Sequence, residues 1–191
     1  MFFWPTYGNE LENISSDLKP NSSAGHDELP SNILSTYIKA FLKPLTHIIN
    51  CSLTTRIVPD NMKIEKNTTV FKTNYKHDMN NYRPISILPY FSKIREKVVY
   101  KRTMDFVTKS NILYDKQFGF REKHSTAMAL WETVDQISEA MDNKKTTVGV
   151  FIDLFKAFDT VDHKILLQKL ENYGLRGSVL KWFTSYLENR Q

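Results

Sequence analysis

A carboxylate interrupts an apolar run in the segment FIDLFKAFDTVDHKILLQKL, which covers residues 151–170. The run begins at Val148 and reaches Leu154, and Asp153 lies inside it. Because an unpaired charge is costly to bury, an aspartate in this position needs a partner. Divalent cations such as Mg²⁺ take oxygen ligands and are usually held by one or two carboxylates together with substrate phosphates. Asp153 is therefore a candidate metal ligand.

A structural role for Asp153 is the alternative interpretation. In that role the carboxylate caps a turn or pairs with a nearby lysine such as Lys156. Asp159 and Asp162 precede the next apolar repeat, where acidic side chains commonly cap free N–H groups and interact favourably with the helix dipole. We therefore expect these two aspartates to be helix-capping residues.

The residues around Asp153 predict a central β-strand followed by a helix. The segment TTVGVFIDL, residues 146–154, is apolar on both faces of an extended chain. That pattern is typical of a strand buried on both sides. The next apolar repeat predicts a helix that stops at Gly174.

Helices predominate in the rest of the chain. Apolar residues recur at spacings of three and four within 34–49, from Phe91 onward and over 126–141, which predicts three further amphipathic helices. Pro44 is expected to kink or divide the first of them. The Asn-rich stretch 66–82 predicts a loop or a weak hairpin, and a short extended piece follows it. The predicted fold class is α+β.

Charge is unevenly distributed along the chain. The 191 residues carry a net charge of +5, but the segment 62–102 holds ten Lys or Arg against three acidic residues, a net +7. The segment 131–162 has seven acidic and three basic residues, a net −4. A basic surface suits an anionic partner such as nucleic acid, although a surplus of this size is also typical of an ordinary solvated surface.

The composition excludes several other classes of protein. Apolar residues make up 41% of the chain and Gly and Pro together number thirteen, which is typical of a globular domain. Cys51 is the only cysteine, so no disulfide framework is possible and a reducing, intracellular setting is favoured. Because no stretch approaches the length of a membrane span, we expect no membrane partner.

Three blocks of sequence, in order, carry a family resemblance: NNYRPISILPYFSKIREKVVYKR, NILYDKQFGFREKHST and GVFIDLFKAFDTVDHKILLQKLENYGLRG. Together they resemble the reverse transcriptase domain of non-LTR retrotransposons, most closely the jockey-type and similar LINE elements. Weaker likeness extends upstream to about Ser23. The family fold is a right-handed polymerase, which implies an upstream linker at 1–22, a fingers-like region at 23–145 and the first part of the palm at 146–191.

The resemblance implies roles for residues around the interrupted run. Asp153 resembles the catalytic, metal-binding aspartate of the first palm motif, with the backbone of Ile152 or Leu154 as a further ligand. Phe158 resembles the aromatic gate under the incoming sugar. A ring in that place leaves a ribose 2′-OH neither space nor a hydrogen-bond partner. The alternative is that Phe158 belongs to the core.

Two cations upstream resemble residues that hold the nucleotide triphosphate. Arg83, in the Tyr-Arg-Pro-Ile block, resembles the fingers arginine that grips the triphosphate, a task suited to a planar group with several donors. Lys72 resembles the accompanying phosphate lysine. A solvated loop lysine is the alternative interpretation of Lys72.

Arg121 and Gln117 lie in the block Gln-Phe-Gly-Phe-Arg. The resemblance implies that this block packs near the template and the nucleotide. The alternative for Arg121 is a surface ion pair with Glu122 or Asp115.

The implied parent reaction is extension of a DNA primer on an RNA template by dNTPs with Mg²⁺, within the nucleus and cytoplasm. Family members continue to a hairpin with two adjacent aspartates and then to a thumb, whereas these 191 residues contain no Asp-Asp pair. Two-metal catalysis needs ligands that hold both ions about 4 Å apart. The expectation is a chain truncated within the palm and inactive alone. A non-catalytic nucleic-acid-binding module and a relic without function are the alternatives.

Some residues depart from the family pattern. The stretch KNTTVFKTNYKHD differs from the expected apolar strand and turn, which weakens the assignment of Lys72. Arg95 and Thr103 replace apolar residues on a helix face, and Phe155 replaces a small residue beside Asp153. Each replacement is expected to cost stability where it is buried.

Overall fold

The computed structural model describes residues 1–19, 22–72, 75–154 and 157–189. These residues form seven α-helices and two β-strands, in the order α1 (Gly8–Asp17), α2 (Ser31–Thr36), α3 (Ile38–Thr55), β1 (Lys66–Phe71), β2 (Tyr82–Ile87), α4 (Tyr90–Lys109), α5 (Thr126–Asp142), α6 (His163–Asn172) and α7 (Ser178–Leu187). The fold is mixed and rich in helix, in agreement with the predicted α+β class.

The chain divides into two compact units. The first comprises residues 1–106 and 163–191, and the second comprises residues 107–162. No helix among the described residues is both long enough and apolar enough to cross a membrane.

The core of the first unit is made by α1, α2, α3, α4 and α7, together with Val58 from the segment after α3. Helix α3 has apolar residues at helical spacing, so its buried face is continuous. The indole of Trp182 in α7 is also buried, and its N–H donates to the Ser52 hydroxyl at 3.1 Å. The buried apolar residues of this core are Leu11, Ile14, Leu34, Ile38, Leu45, Ile49, Leu53, Val58, Tyr90, Ile94, Val98, Val99 and Trp182.

The expected linker at 1–22 contains a helix that belongs to this core. Leu11 and Ile14 in α1 lie three residues apart, so both face the core and are buried. Upstream of α1, the Thr6 N–H donates to the Asn50 side-chain oxygen at 2.8 Å, and the Asn50 amide donates back to the Thr6 carbonyl at 3.0 Å. The short apolar repeat in α1 is enough to bury one helix face, so residues 8–17 of this upstream segment pack into the core.

A buried arginine holds the first residues of the chain against α4. Arg102 is fully buried, and its guanidinium donates to both carboxylate oxygens of Glu10 at 3.0 Å. It also donates to the carbonyls of Trp4 at 3.1 Å and Pro5 at 3.3 Å. Burial acts to raise the pKa of the Glu10 carboxyl, but the hydrogen bonds from Arg102 and Thr6 outweigh burial and lower that pKa.

The hairpin and helix predictions for residues 66–109 are confirmed. Strands β1 and β2 pair antiparallel, with Lys66 opposite Ile87 and Phe71 opposite Tyr82. Helix α4 follows directly and buries Ile94 and Val98. Helix α3, by contrast, runs through Pro44 without being divided there. The position of Pro44 on the exposed side explains this, because the carbonyl that a proline leaves without a partner can be hydrated by water.

The second unit is organised around α5. Its predicted bounds of 126–141 agree closely with the observed Thr126–Asp142, and the Ser125 hydroxyl caps it by accepting from the Met128 N–H at 3.3 Å. Lys116, in the loop before α5, forms an ion pair with Glu132, and the hydrogen bond from Lys116 lowers the pKa of the Glu132 carboxyl. This ion pair ties the loop to the helix.

The predicted central strand at 146–154 is absent from the structure. These residues have no strand pairing and are exposed, with Phe151 exposing 94% of its surface. A central strand needs neighbours that accept and donate its backbone hydrogen bonds, and the two strands of the described chain pair with each other. The prediction of a central strand is therefore wrong for this chain. The apolar pattern indicates that the segment can be buried, but it does not show whether strands are present to pair with it.

Candidate functional site

The turn end of the β1–β2 hairpin brings Lys72 and Arg83 together. Lys72 follows β1, and its N–H donates to the Asn81 carbonyl at 2.8 Å, which continues the strand ladder by one pair. Arg83 is the cross-strand partner of Val70. Because side chains alternate along strands, Lys72 and Arg83 share a face as diagonal neighbours, which typically lie about 7 to 8 Å apart. Both side chains are exposed.

An aromatic pair lies at the same end of the hairpin. The rings of Phe71 and Tyr82 are cross-strand partners and their centroids are 5.5 Å apart. This pair belongs to the face opposite Lys72 and Arg83, because each of its members is adjacent in sequence to one of the cations. One face of the hairpin end is thus basic and the other aromatic.

Part of the positive charge in the segment 62–102 is buried. Lys63 donates to Asp60 at 2.8 Å, Arg95 donates to the Met62 carbonyl at 3.2 Å, and Arg102 pairs with Glu10. These three cations are not available to an external anion, so the net charge of the segment overstates its basic surface. The exposed cations of the segment are Lys66, Lys72, Lys76, Arg83, Lys97 and Lys101.

In the second unit, local hydrogen bonds fold the loop that contains Gln117 and Arg121. The Gln117 N–H donates to the Tyr114 carbonyl at 2.9 Å, and its side-chain amide donates to the Gly119 carbonyl at 3.2 Å. The Arg121 guanidinium also donates to the Tyr114 carbonyl, at 3.2 Å. Within the described ranges Arg121 has no ion pair with Glu122 or Asp115, so the alternative interpretation of Arg121 is not supported.

Phe158 is exposed and makes an aromatic contact. It leaves 75% of its surface in contact with solvent, which excludes a core role in this structure. Its ring lies edge to face against Phe120, with centroids 5.6 Å apart and planes at 89°. Phe120 lies in the same loop as Gln117 and Arg121, so the structure brings Phe158 to that loop.

Asp153 lies on an exposed segment, flanked by Ile152 and Leu154. Its carboxylate and the adjoining main-chain carbonyls are hard oxygen donors, so their chemistry fits one divalent ion that also takes phosphate and water ligands. The described part of the chain contains no cluster of three or more His, Cys, Asp or Glu residues that would hold a metal by itself. Lys156, the possible partner of Asp153, and Phe155 lie outside the described residues.

The eight candidate residues therefore fall into two groups. Lys72 and Arg83 belong to the first unit, whereas Asp153, Phe158 and the loop residues belong to the second. Phe120 lies within the Gln-Phe-Gly-Phe-Arg block, and the sequence pattern indicated no role for it. The available signal was an aromatic residue directly after Gly119, at a position where the chain turns.

These residues all lie within a single family match. The model of the family described as reverse transcriptase (RNA-dependent DNA polymerase) matches residues 64–191, two thirds of the chain and every candidate residue. The chain belongs to this family. The resemblance to the reverse transcriptase domain of a non-LTR retrotransposon is thereby confirmed, with the following relatives in support.

Three relatives come from transposable elements of Drosophila melanogaster. The probable RNA-directed DNA polymerase from transposon BS is 32% identical over 98% of this chain and 21% of its own length. The RNA-directed DNA polymerase from mobile element jockey is 32% identical over 84% of this chain and 18% of its own length. The probable polymerase from transposon X-element is 30% identical over 90% of this chain and 19% of its own length. The chain thus spans about a fifth of each relative.

Proposed function

We propose that the chain provides the nucleotide-facing part, the fingers and the first part of the palm, of an RNA-directed DNA polymerase of a non-LTR retroelement. The observation that carries this proposal is the family match across residues 64–191, which includes all eight candidate residues. Their exposure supports it, because a residue that meets substrate must be accessible. Seven are exposed and Arg121 is half-buried.

Lys72 and Arg83 are proposed to bind the triphosphate of an incoming dNTP. They form a basic pair on one face of an exposed hairpin end. An arginine fork can donate two parallel hydrogen bonds to phosphate oxygens, and a lysine adds a compact charge beside it. Binding by this pair orients the nucleotide and offsets the negative charge of its phosphates.

Asp153 is proposed to be the ligand of a catalytic divalent ion, with the carbonyl of Ile152 or Leu154 beside it. When bound, such an ion stabilises negative charge on the transferring phosphoryl group. The contribution of the chain itself is an anionic carboxylate on an accessible segment. A two-metal centre requires further carboxylates, and the family supplies them from an Asp-Asp hairpin that has no counterpart in these 191 residues.

Phe158 is proposed to be the gate that selects deoxyribose. Its exposed ring is accessible to a substrate sugar, which a core residue would not be.

Gln117 and Arg121 are proposed to contact the template strand from the adjacent loop, whose fold is fixed by hydrogen bonds to Tyr114 and Gly119. In this arrangement the loop contacts the template strand and the gate contacts the sugar of the incoming nucleotide.

Nucleic-acid binding by the chain is expected to be weak and to depend on salt. Only the exposed cations can release counterions, and each phosphate neutralised contributes about −0.7 to −0.9 to the slope of log K against log salt. When no dNTP is present, the exposed side chains of Lys72 and Arg83 can contact phosphates of the hybrid instead, so the double variant Lys72→Gln and Arg83→Gln should reduce that slope by about 1.4 to 1.8. The slope is measured by fluorescence anisotropy with a labelled RNA–DNA hybrid over a series of salt concentrations.

The matched control for binding is the double variant Lys169→Gln and Lys181→Gln, which removes the same charge from exposed positions in α6 and α7. Its slope should equal that of the unmodified chain. If the slope of log K against log salt is the same for all three proteins, the hairpin end is not part of the nucleic-acid-binding surface.

The function is tested by joining the chain to the rest of a polymerase. In a jockey graft, this chain replaces the matching segment of the jockey polymerase from Drosophila melanogaster. We expect the graft to extend a DNA primer on an RNA template with dNTPs, whereas the isolated 191-residue chain should show no extension because one aspartate cannot build a two-metal site. A folded graft that never extends a primer would contradict the proposed function.

The gate is tested by Phe158→Val in the same graft. Opening space beneath the sugar should admit ribonucleotides and preserve much of the dNTP activity, so the ratio of dNTP to rNTP use should fall. Because Phe158 is largely exposed, the melting temperature should change little. The selectivity ratio is measured by single-nucleotide incorporation, and an unchanged ratio would exclude the gate.

A further inference from the structure

We infer that Phe120 is a positioning residue for Phe158 and, through it, a determinant of sugar selectivity. The inference rests on the proposed role of Phe158 as the gate. Phe120 has no part in the proposed function above and does not itself need to touch the nucleotide. Its basis is the contact between the rings of Phe120 and Phe158 together with the backbone conformation of Phe120. Neither contributes to a hydrophobic core, because both residues are exposed.

The contact between the two rings has the geometry of a favourable aromatic pair. The edge of one ring meets the face of the other at 89°, and the centroids are 5.6 Å apart. Phe120 exposes 84% of its surface and Phe158 exposes 75%. Because so little of Phe158 is packed, a single neighbouring ring has a large share in fixing its rotamer.

The backbone of Phe120 is held in an unfavourable conformation. Its φ is +58°, in the left-handed region that residues with a Cβ rarely adopt. The hydrogen bonds of Gln117 to Tyr114 and Gly119, with that of Arg121 to Tyr114, fix the chain on both sides of it. Such conformations persist where the surroundings impose them, and they occur preferentially at functional sites.

The consequence of this backbone conformation is the direction of the Phe120 side chain, which meets the turn at 157–160 that contains Phe158. Phe118, two residues earlier, lies against His124 instead, with centroids 5.9 Å apart. The ring of Phe118 therefore packs within the loop, whereas the ring of Phe120 contacts Phe158. If Phe120 is shortened, Phe158 gains rotational freedom and excludes a ribose hydroxyl less well.

The first experiment tests the contact in the 191-residue chain. With 4-fluorophenylalanine at position 158, the ¹⁹F resonance should shift on Phe120→Leu, because the fluorinated ring loses its aromatic neighbour. Phe120→Tyr should leave the resonance nearly in place, and so should the control Phe118→Leu. A resonance that does not respond to Phe120→Leu would overturn the inference without any measurement of activity. Since Phe120 is exposed, its replacement is not expected to unfold the chain.

The second experiment tests selectivity in the jockey graft. Phe120→Leu should lower the ratio of dNTP to rNTP use by about 2- to 10-fold, the factor that corresponds to one edge-to-face aromatic contact. Phe120→Tyr should restore the ratio. In the double variant Phe120→Leu and Phe158→Val, the ratio should be no lower than with Phe158→Val alone, because the positioned ring is already gone.

The two proposals fail in different ways. If Phe158→Val lowers the ratio and Phe120→Leu does not, the gate stands and the positioning role is overturned. If Phe158→Val leaves the ratio unchanged while the fluorine signal responds to Phe120→Leu, the contact is real but the gate is wrong, and the selectivity role falls with it. Additive effects of the two substitutions would also overturn the positioning role.

Discussion

Replacing Arg102 by methionine is expected to lower the free energy of unfolding by about 3 kcal/mol, at the low end of the range for breaking a buried ion pair. The low end applies because the Glu10 side chain retains 20% of its surface in solvent. Methionine fills a similar volume but leaves Glu10 without its cation. The carbonyls of Trp4 and Pro5 also lose a donor, and each unpaired buried acceptor adds to the cost.

The effect of Arg102→Met should depend on pH. The folded-state pKa of Glu10 lies below its ordinary value of 4.5, so this carboxylate contributes stability above that pH, and the contribution is lost as the pH falls through the folded-state pKa. Without Arg102, its hydrogen bonds and its charge no longer lower the Glu10 pKa, while burial still acts to raise that pKa. The difference in stability between the unmodified chain and the variant should therefore narrow in acid.

Urea denaturation at neutral and acidic pH measures both effects, and the midpoint reports the change provided that the slope is unchanged. The control is Lys109→Met, which removes an exposed cation from the same helix and should change stability by less than about 0.5 kcal/mol. A loss below about 1 kcal/mol for Arg102→Met at neutral pH would contradict the assigned role of Arg102. If the difference in stability between the unmodified chain and Arg102→Met does not narrow in acid, Glu10 is not the partner through which Arg102 stabilises the fold.

Periodicity was sufficient to predict the helices that bury a continuous face or have a strong cap. The bounds of α5 follow from its apolar spacing, and the hairpin follows from the turn-rich sequence before Tyr82. These features are local, so a single sequence contains them. Helix α1 was missed because it is short and mostly polar, and its buried face is created by its contacts with α3 and α4.

Long-range polar contacts could not be predicted. Arg95 was expected to be destabilising where buried, and the structure does bury it, but its guanidinium lies 5.6 Å from the centre of the Tyr186 ring and donates to the Met62 carbonyl. Arg102 was counted only as charge. Which acid or carbonyl reaches a given arginine depends on tertiary structure, and sequence spacing does not encode it.

The candidate site was predictable in its residues and not in its surroundings. The family resemblance indicated Asp153 and Phe158, and their exposure is consistent with substrate contact. The strand expected around Asp153 depends on partner strands that an apolar run cannot specify. The Phe120–Phe158 contact depends on a left-handed residue in a loop, which no propensity of phenylalanine predicts.

In the jockey graft, Asp153→Asn is expected to slow primer extension by at least about 100-fold, more than the loss of an outer-shell partner of a metal ligand usually costs. Asparagine keeps the shape of the side chain but removes the charge that a divalent ion requires. Template and primer binding should be nearly unchanged, because a carboxylate repels the phosphate backbone and so does not contribute to holding it. The substitution therefore separates catalysis from binding.

Asp159→Asn is the matched control for Asp153→Asn. It removes the same charge from an exposed aspartate in the turn beside Phe158, within the same unit of the chain. If Asp159 has only the capping role expected from its position before a helix, the variant should extend primers at close to the rate of the unmodified graft. Equal losses for both variants would indicate a general effect of charge.

The most direct measurement is the rate of single-dNTP incorporation by the graft under single-turnover conditions, with anisotropy of the same primer and template recorded in parallel. We expect the unmodified graft and the Asp159→Asn graft to incorporate the nucleotide at similar rates. The Asp153→Asn graft should bind the nucleic acid equally well but incorporate almost nothing. Incorporation by the Asp153→Asn graft at the unmodified rate would contradict the assignment of Asp153 as a metal ligand.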